Sequence, residues 1–516
     1  MTQINVAELL VDQASEQEQQ LNPIQNKLLK HAVNVHKFGG SSLANTACIE
    51  RAVNIIRQHC QLSDIVVVSA NGKTTDNLFA LVALAQNNNS TEQALLLLHE
   101  QQQALINSLL KAQYAQPLLQ QLALDIKQLS TWLVELSQGL IAHYNDILAF
   151  GELWSARLLS QVLNCYVCPS YLLDARNFLQ INNDIDYVVD EKTSAAQYQL
   201  LQQAHKLVVV TGYIAKDITG KTCTLGRNGS DYSATIMAAL NQASNVTLWT
   251  DVDGIYSADP RIVPNSRKLH RLPNEVAKEL GRLGNPVLHA KTLTPLATHK
   301  THLHVASSFT PQTSGSEIGE FGAIAKQELS VTYLNDLLLV TSISLTSTRL
   351  TSEQGEQGKI LFNPLCSDFK QGFIVIEQPQ QQAVSQWLAS KNEQVVFTPV
   401  AIIATVGYQV AQRGDVKARF KRALKSTAPL HFVSSTNQQH SIIAIVNDNC
   451  TSELINNVHH DVTKEAKKIG AGLGDIVIRG PDAGRDVTAG GLHSDLVSIC
   501  QQLANKTTPV KIKGTI

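Results

Sequence analysis

Short apolar runs separated by amphipathic stretches dominate the first 300 residues of the chain. Each run has the length of a buried strand, and helix-compatible stretches from Asn45 to His59 and across 90–150 lie between them. Alternation of strands and helices favours a largely parallel sheet covered by helices on both faces. The pattern therefore predicts an α/β fold. The predicted strands lie at 33–38, 65–69, 165–167, 207–210 and 246–249.

Beyond residue 319 the pattern changes to two smaller β/α units. A stretch rich in Ser, Thr, Pro and Gly at 307–319 predicts a domain boundary. Short strands and helices then fill a first unit at about 337–397 and a second at about 401–460. These units carry few convergent charges, so a sensing or dimerising role is favoured over chemistry. A purely structural pair is the alternative.

Length and charge exclude several classes of protein. A chain of 516 residues predicts about three domains. Its net charge of −1 argues against a nucleic-acid surface, which would be strongly basic. The apolar runs are far shorter than the ~20 residues of a membrane span, and the first 32 residues lack the features of a secretory signal. We therefore expect a soluble, cytoplasmic protein that binds neither nucleic acid nor membrane.

The eight cysteines are scattered, and a chain of this size has no need of disulfides. Cys165 and Cys168 have the spacing of a redox or zinc motif, but no second Cys or His pair lies nearby. We expect them to be reduced cysteines buried in a strand.

The segment at 226–231 is the most informative for function. It places two glycines, Arg227, Ser230 and Asp231 at the start of a predicted helix. Unpaired backbone N–H groups and the helix dipole favour phosphate or carboxylate at such a position. Taken alone, an ordinary glycine turn with a surface salt bridge is an equal alternative.

Two further segments would supply the remaining groups of a phosphate site. Lys37 ends a predicted strand and is followed by Gly39 and Gly40, whose backbone can approach phosphate oxygens. The segment at 249–261 follows another strand and carries carboxylates, a tyrosine and an arginine suited to a nucleotide, although a solvated loop is the alternative. Ligands bind outside the carboxyl ends of strands in open α/β sheets, so these segments should converge on one edge.

Six segments of the chain match one known family in sequence and in order. The segments are Lys37–Ser42, Val67–Ala70 with Thr74–Thr75, Phe150–Arg157, Gly226–Ala234, Trp249–Arg261 and Val287–Leu293. Together they resemble the aspartate kinases of the amino-acid kinase superfamily. The likeness is greatest to the kinase half of the methionine-branch bifunctional aspartokinase/homoserine dehydrogenases, and it continues through 330–469. It implies an amino-acid kinase domain at 33–318, a tandem ACT-like regulatory domain at 319–469 and a polar extension at 1–32.

The resemblance implies phosphorylation of the β-carboxylate of L-aspartate by ATP with Mg²⁺. The product would be 4-phospho-L-aspartate, the first intermediate on the way to lysine, threonine and methionine. A carboxylate is already ionised at pH 7, so the reaction needs positioning and cationic stabilisation rather than a general base. The resemblance also implies a homodimer formed through the regulatory domain.

Two other functions stand beside this one. The first is a catalytically impaired amino-acid sensor or assembly protein that retains the kinase fold. The second is another amino-acid kinase, acting on glutamate or uridylate, which the segment around Glu152 and the long regulatory half disfavour.

The resemblance also implies roles for individual residues. Lys37 would bridge the transferring phosphoryl group, and Asp231 would orient Lys37 or the substrate amine. Arg227 would bind the α-carboxylate of aspartate through two parallel donors, and Glu152 its α-ammonium group. Neutral substrate contacts are expected from Ser41, Ser69, Thr75 and Ser230. Nucleotide contacts are expected from Lys37, Gly39, Gly40, Thr250, Asp251, Tyr256 and Arg261. No dedicated metal-ligand cluster is visible in the sequence.

The chain departs from the family pattern at several places. The family usually has asparagine at the position of Asp76, lysine at the position of Pro286 and glycine at the position of Asn228. The likeness to the bifunctional proteins breaks at Ile469, after which 47 residues resemble the extreme end of a homoserine dehydrogenase. That length is too short for a dinucleotide-binding fold. We therefore expect the segment at 470–516 to be a remnant of a deletion, without NADP or dehydrogenase activity.

Overall fold

The computed structural model of the protein describes most of the chain between Val33 and Lys464. The polar extension at 1–32 and the predicted remnant at 470–516 lie outside the described residues. The described ranges are 33–182, 188–203, 205–297, 301–321, 328–341, 365–368, 373–389, 395–425, 429, 431–434, 439–447 and 449–464.

From 33 to 319 the chain alternates strands and helices. The strands are β1 (Asn34–Phe38), β2 (Ile65–Val68), β3 (Ser170–Leu173), β4 (Gln180–Asn182), β5 (Val188–Val189), β6 (Leu207–Thr211), β7 (Ile214–Asp217), β8 (Thr222–Thr224), β9 (Asn245–Thr250), β10 (Ile255–Tyr256), β11 (Lys268–Leu269), β12 (Arg271–Pro273), β13 (His302–Ser307) and β14 (Ser316–Gly319). The helices are α1 (Thr46–His59), α2 (Thr74–Gln86), α3 (Glu92–Leu109), α4 (Ala112–Ser137), α5 (Tyr144–Tyr166), α6 (Glu191–Leu201), α7 (Gly229–Asn241), α8 (Asn274–Arg282) and α9 (Ala290–Leu293).

Eight of these strands form the central sheet, in the order β12-β14-β13-β9-β1-β2-β6-β3. Neighbouring strands run parallel, except for the antiparallel pair β13 and β14. Val66 and Val67 of β2 are both fully buried but pack into different hydrophobic clusters. Successive side chains of a strand point to opposite faces, so the sheet is covered on both sides. The predicted α/β fold is confirmed.

One predicted strand of this part is wrong. The run at 165–167 is not a strand, because α5 continues to Tyr166 and β3 begins only at Ser170. The Asn164 side chain accepts a hydrogen bond from the Ser170 N–H (2.8 Å) and donates one to the Ser170 carbonyl (3.0 Å). These bonds fix the turn after the helix. Cys165 and Cys168 are therefore half-buried thiols at a helix end and in a turn.

The described residues between 328 and 464 form a second, antiparallel sheet of six strands with three α-helices. We call it the regulatory sheet, after the role that the resemblance leads us to expect. Its strand order is β16-β17-β15-β18-β20-β19. The elements are β15 (Leu329–Thr341), β16 (Cys366–Asp368), β17 (Phe373–Glu377), α10 (Gln381–Ala389), β18 (Val396–Gly407), α11 (Gly414–Ala423), β19 (His431–Ser434), β20 (Ser441–Val446) and α12 (Ser452–Thr463).

The two predicted β/α units are not separate within this sheet. The single strand β18 runs through both the predicted end of the first unit and the predicted start of the second. It also pairs with most of β15. Pro399 is tolerated inside β18 because the strand is paired only with β15 at that end, while its pairing with β20 begins at Ala401. The expected domain boundary at 318 falls near the gap between the last strand of the central sheet and the first strand of the regulatory sheet.

No helix in the part of the chain that the structure describes is long and apolar enough to cross a membrane.

Candidate active site

Lys37 and Asp231 form an ion pair at the centre of the parallel sheet. Lys37 lies near the end of the central strand β1, and Asp231 lies in the first turn of α7. Their Nζ and Oδ1 atoms are 2.6 Å apart, and the side chains are only 10% and 16% exposed. The pair places a fixed ammonium group beside the start of a helix, where an anion is favoured.

The turn before α7 depends on left-handed backbone. Gly226 has φ 74° and Asn228, at the N-cap, has φ 56°. Asparagine adopts this conformation more readily than most other residues with a β-carbon. Its place at a usual glycine position is therefore compatible with the fold, and the Gly229 N–H still donates to the Gly226 carbonyl at 3.0 Å.

The segment after β1 is packed closely against the segment after β2. A β-carbon added to Gly40 would lie 2.9 Å from the Gly72 carbonyl oxygen, so this position requires glycine. The Gly39 N–H donates to the Trp249 carbonyl at 3.2 Å. The Gly39 N–H is thus already bonded in this conformation, and the expected contact of the Gly39 and Gly40 amides with a phosphate stays a prediction.

A cavity of about 700 Å³ opens over the Lys37–Asp231 pair. Segments after β1 and β9 and before α7 meet there, because the parallel strands end at the same edge. Every residue predicted to contact the nucleotide lines this cavity. The predicted residues in its lining are Lys37, Gly39, Gly40, Ser41, Asp231, Thr250, Asp251, Tyr256 and Arg261.

The residues after β9 are held by their own polar contacts. The Tyr256 hydroxyl donates to Asp253 at 2.8 Å, and Asp253 also pairs with Lys268 at 3.1 Å. Arg261 pairs with Asp259 at 2.7 Å but remains 77% exposed. These contacts order the loop, and the exposed Arg261 guanidinium can still meet an anion.

Glu152 is a buried carboxyl group with one free oxygen. It lies in α5, is 2% exposed, and accepts a long hydrogen bond (3.4 Å) from the Ala70 N–H through Oε1. Its Oε2 atom has no hydrogen-bond partner among the described residues. Burial raises the pKa of Glu152 to about 8. A buried carboxyl group left unpaired in this way is suited to a cationic ligand.

Apart from Ser41, the other predicted substrate residues do not line the cavity. Ser230 is buried in α7, and Ser69 and Thr75 are half-buried after β2 and in α2. Arg227 is exposed and forms no ion pair with the described residues. The structure thus brings the predicted nucleotide residues and Ser41 into one cavity, but Ser69, Thr75, Glu152, Arg227 and Ser230 lie outside its lining.

Sequence reasoning missed one wall of the cavity. Tyr333, Leu334 and Asn335 of β15, with Ile455 of α12, line it from the regulatory sheet. Close packing accompanies this contact, since a β-carbon added to Gly284 would lie 2.4 Å from a methyl group of Leu334. No charge or glycine pattern marks these residues, so the sequence carried no signal for them.

Among the described residues, no group of three His, Cys, Asp or Glu side chains is arranged to hold a metal ion.

Several known proteins are similar to this chain. The family model described as the amino acid kinase family matches residues 32–307. The bifunctional aspartokinase/homoserine dehydrogenase 2 of Escherichia coli (strain K12) is 34% identical over 451 residues, covering 84% of this chain and 55% of that protein. The chloroplastic bifunctional aspartokinase/homoserine dehydrogenase 2 of Arabidopsis thaliana is 27% identical over 459 residues, covering 82% of this chain and 50% of that protein. The chain thus spans about half the length of these relatives.

A solved structure shares the fold. The E. coli aspartokinase III in complex with aspartate and ADP matches with a TM-score of 0.72 at 21% identity. The match covers 83% of this chain and 99% of that one, so it includes both the central sheet and the regulatory sheet.

Proposed function

Because this chain belongs to the amino acid kinase family, we propose that it transfers the γ-phosphoryl group of ATP to the β-carboxylate of L-aspartate. The products are 4-phospho-L-aspartate and ADP, and the reaction begins the synthesis of lysine, threonine and methionine. The observation that carries the proposal is the Lys37–Asp231 ion pair at the floor of the cavity lined by the predicted nucleotide residues. The names of the similar proteins support aspartate as the acceptor.

Lys37 supplies the positive charge for the transfer. The aspartate β-carboxylate is ionised at neutral pH and attacks phosphorus without a general base. The difficulty is the repulsion between this carboxylate and the polyphosphate, which a fixed cation reduces. Asp231 holds the Lys37 ammonium group at 2.6 Å, so its position is set before the substrates bind.

Two charged groups recognise the amino acid. Glu152 binds the α-ammonium group through its unpartnered Oε2 atom. Arg227 binds the α-carboxylate; its exposure leaves it free to swing onto a ligand. Neutral contacts come from Ser41, Ser69, Thr75 and Ser230.

The nucleotide occupies the cavity beyond Lys37. The Gly40 amide meets a phosphate oxygen, while Thr250, Asp251, Tyr256 and Arg261 surround the rest of the molecule. Mg²⁺ bound with ATP would neutralise charge on the β- and γ-phosphates. The carboxylates of Asp231 and Asp251 line the same cavity and would hold such an ion together with the nucleotide.

We also propose the architecture that the resemblance implies. The catalytic domain is 33–318, the regulatory domain is 319–469, and two copies of the chain associate through the regulatory domain in the cytoplasm. The predicted lack of homoserine dehydrogenase activity is tested by following NADP-dependent oxidation of homoserine.

Trapping of the acyl phosphate with hydroxylamine tests the main proposal. We expect hydroxamate from ATP, Mg²⁺ and L-aspartate, none with L-glutamate as acceptor, and loss of product in Lys37→Ala. Phosphorylation of uridylate forms an anhydride that gives no hydroxamate, so uridylate is tested by release of ADP, and we expect no release that depends on uridylate. If the parent protein makes no more hydroxamate than Lys37→Ala, the kinase proposal fails. A catalytically impaired amino-acid sensor would then be the remaining interpretation.

A further inference from the structure

We propose that His459, on helix α12 of the regulatory sheet, is a positioning residue for the nucleotide. It acts through Ser257 on the nucleotide loop, which we define as residues 250–262. The inference rests on the proposed function, because it assigns to the regulatory sheet a part in forming the nucleotide site.

Ser257 connects the cavity to the regulatory sheet. Its neighbours Tyr256 and Ala258 line the cavity, whereas Ser257 itself is fully buried. The Ser257 Oγ atom accepts a hydrogen bond from the Arg267 N–H (2.9 Å) and lies 2.8 Å from Nε2 of His459. The hydroxyl hydrogen is thus available to the imidazole. His459 therefore completes the hydrogen bonding of a serine that lies between two cavity residues.

Other contacts tie the same loop to the regulatory sheet. The Asn456 side chain, one helical turn before His459, donates to the Ile262 carbonyl at 2.7 Å. On the other side, the Val331 N–H donates to the Ser257 carbonyl at 2.7 Å. The nucleotide loop is thus held between α12 and β15. Its contacts with α12 join residues 194 and 202 positions apart in the chain.

The surroundings of His459 indicate that the imidazole serves this contact. His459 is 5% exposed and lies on a helix whose other buried residues, including Val458 and Val462, are apolar. Burial lowers the pKa of His459, with Arg267 and His460 adding to the effect, so the ring is neutral at pH 7. An apolar side chain would suit packing alone, whereas a hydrogen-bond acceptor such as the ring nitrogen satisfies Ser257.

The test compares His459 with its exposed neighbour on the same helix. His459→Leu removes the hydrogen bond while keeping an apolar volume, and His459→Gln places an amide near the position of Nε2. The same two substitutions at His460, which is 67% exposed and contacts Asp461, are the matched controls. Binding of ATP with Mg²⁺ is measured by calorimetry, and the KM values for ATP and aspartate are measured by the hydroxamate assay. Thermal unfolding is also measured for each variant.

We expect His459→Leu to raise the Kd and KM for ATP about three- to tenfold, the effect of one net hydrogen bond. His459→Gln should recover most of the affinity, the KM for aspartate should stay within about twofold, and both His460 variants should match the parent.

The outcomes separate this inference from the proposed function. A parent protein that binds ATP, with unchanged ATP affinity in His459→Leu, overturns the role of His459 and leaves the proposed function standing. Equal rises in both KM values, with no recovery in His459→Gln, show a general structural role and also overturn it. A parent protein that binds no ATP overturns both proposals.

Discussion

Asp231 fixes the position of Lys37, so its charge should matter for the reaction. The Asp231→Asn substitution keeps the shape of the side chain but removes the negative charge that pairs with the nearly buried ammonium group of Lys37. We expect the rate of hydroxamate formation to fall about 10²-fold, comparable with the loss of one transition-state donor. Asp415→Asn is the control, because Asp415 forms an exposed ion pair with Arg419 on α11. Equal rates in the parent and Asp231→Asn would contradict the role given to the pair.

Glu152 should make aspartate binding depend on pH. Burial raises its pKa to about 8, so the ligand-free protein holds a proton there at pH 7. The α-ammonium group of aspartate binds the ionised form of Glu152, so binding releases the proton that Glu152 held. We expect the KM for aspartate to fall as the pH rises from 6.5 to 8. Glu152→Gln should remove this dependence and raise the KM at least ~30-fold, as expected when one partner of a buried charge pair is lost.

The raised pKa of Glu152 should also make the folded protein less stable as the pH rises. Between the ordinary pKa of a glutamate, about 4.3, and about 8, the folded ligand-free protein holds a proton that the unfolded chain has lost. The contribution of Glu152 to stability is therefore lost as the pH rises through this range. Glu152→Gln should gain thermal stability relative to the parent between pH 5 and pH 8, whereas the exposed Glu50→Gln should not. A constant difference across this range would argue against a raised pKa.

At the scale of elements, the start of α7 depends on the left-handed conformation of its N-cap residue, Asn228. Asn228 and Gln242 flank the helix with φ of 56° and 50°. A β-branched side chain disfavours this conformation, so Asn228→Val and Gln242→Val should each lose about 1–2 kcal/mol of stability. Only Asn228→Val should slow hydroxamate formation, because Ser230 and Asp231 follow it in the first turn. Asn228→Gly should behave like the parent in both assays.

Equal losses of activity in the two valine variants would contradict this prediction, since Gln242 lies at the far end of the helix. Denaturant unfolding measures the stability of each variant under the conditions of the activity assay.

Helices and strands could be predicted where the hydrophobic pattern agrees with the positions of glycine-rich turns. The strand at 207–210 and the helix after 229 follow from an apolar run and a glycine-rich turn. The strand predicted at 165–167 is wrong because α5 is buried along most of its length. No polar face in the sequence therefore marks where the helix ends. The units predicted at 337–397 and 401–460 are joined by the single strand β18, because Pro399 lies where this strand is paired on one side only, with β15.

The sequence predicted which residues meet at the cavity only for those that belong to the central sheet and its helices. Lys37, Asp231 and Thr250 lie at the ends of neighbouring elements of the parallel sheet, and the topology of such sheets brings their ends together. Tyr333 and Ile455 reach the same cavity from another sheet. Their position depends on how two sheets pack, which no local pattern in the chain encodes.

At the scale of the whole molecule, the two sheets share one hydrophobic core. A single cluster contains Leu283 and Leu288 beside Leu337, Val400 and Ile443. The Glu279 carboxylate of α8 is buried between its neighbour Arg282 and the Ser441 hydroxyl of β20. These contacts imply that the described part of the chain from 33 to 463 unfolds as one unit.

A fragment of residues 33–320 should therefore be less stable than a chain of residues 33–464. Removing the regulatory sheet exposes the buried face around Leu283 and leaves the Glu279 carboxylate without Ser441. We expect the longer chain to unfold in a single thermal transition and the fragment to aggregate or to melt at a lower temperature. Circular dichroism and light scattering measure both. Equal melting temperatures would show that the two sheets are independent.

The pairing of β15 with β18 also limits how this protein can change by recombination. These two strands are 13 and 12 residues long, and each is the inner neighbour of the other at the middle of the regulatory sheet. A genetic exchange between residues 390 and 395 would pair β15 of one parent with β18 of another, which need not match. Loss of the chain on either side of this point would leave three strands with a long uncovered edge. Such edges pair with other chains and promote aggregation. We infer that the two halves of the regulatory sheet must be inherited, exchanged or lost together.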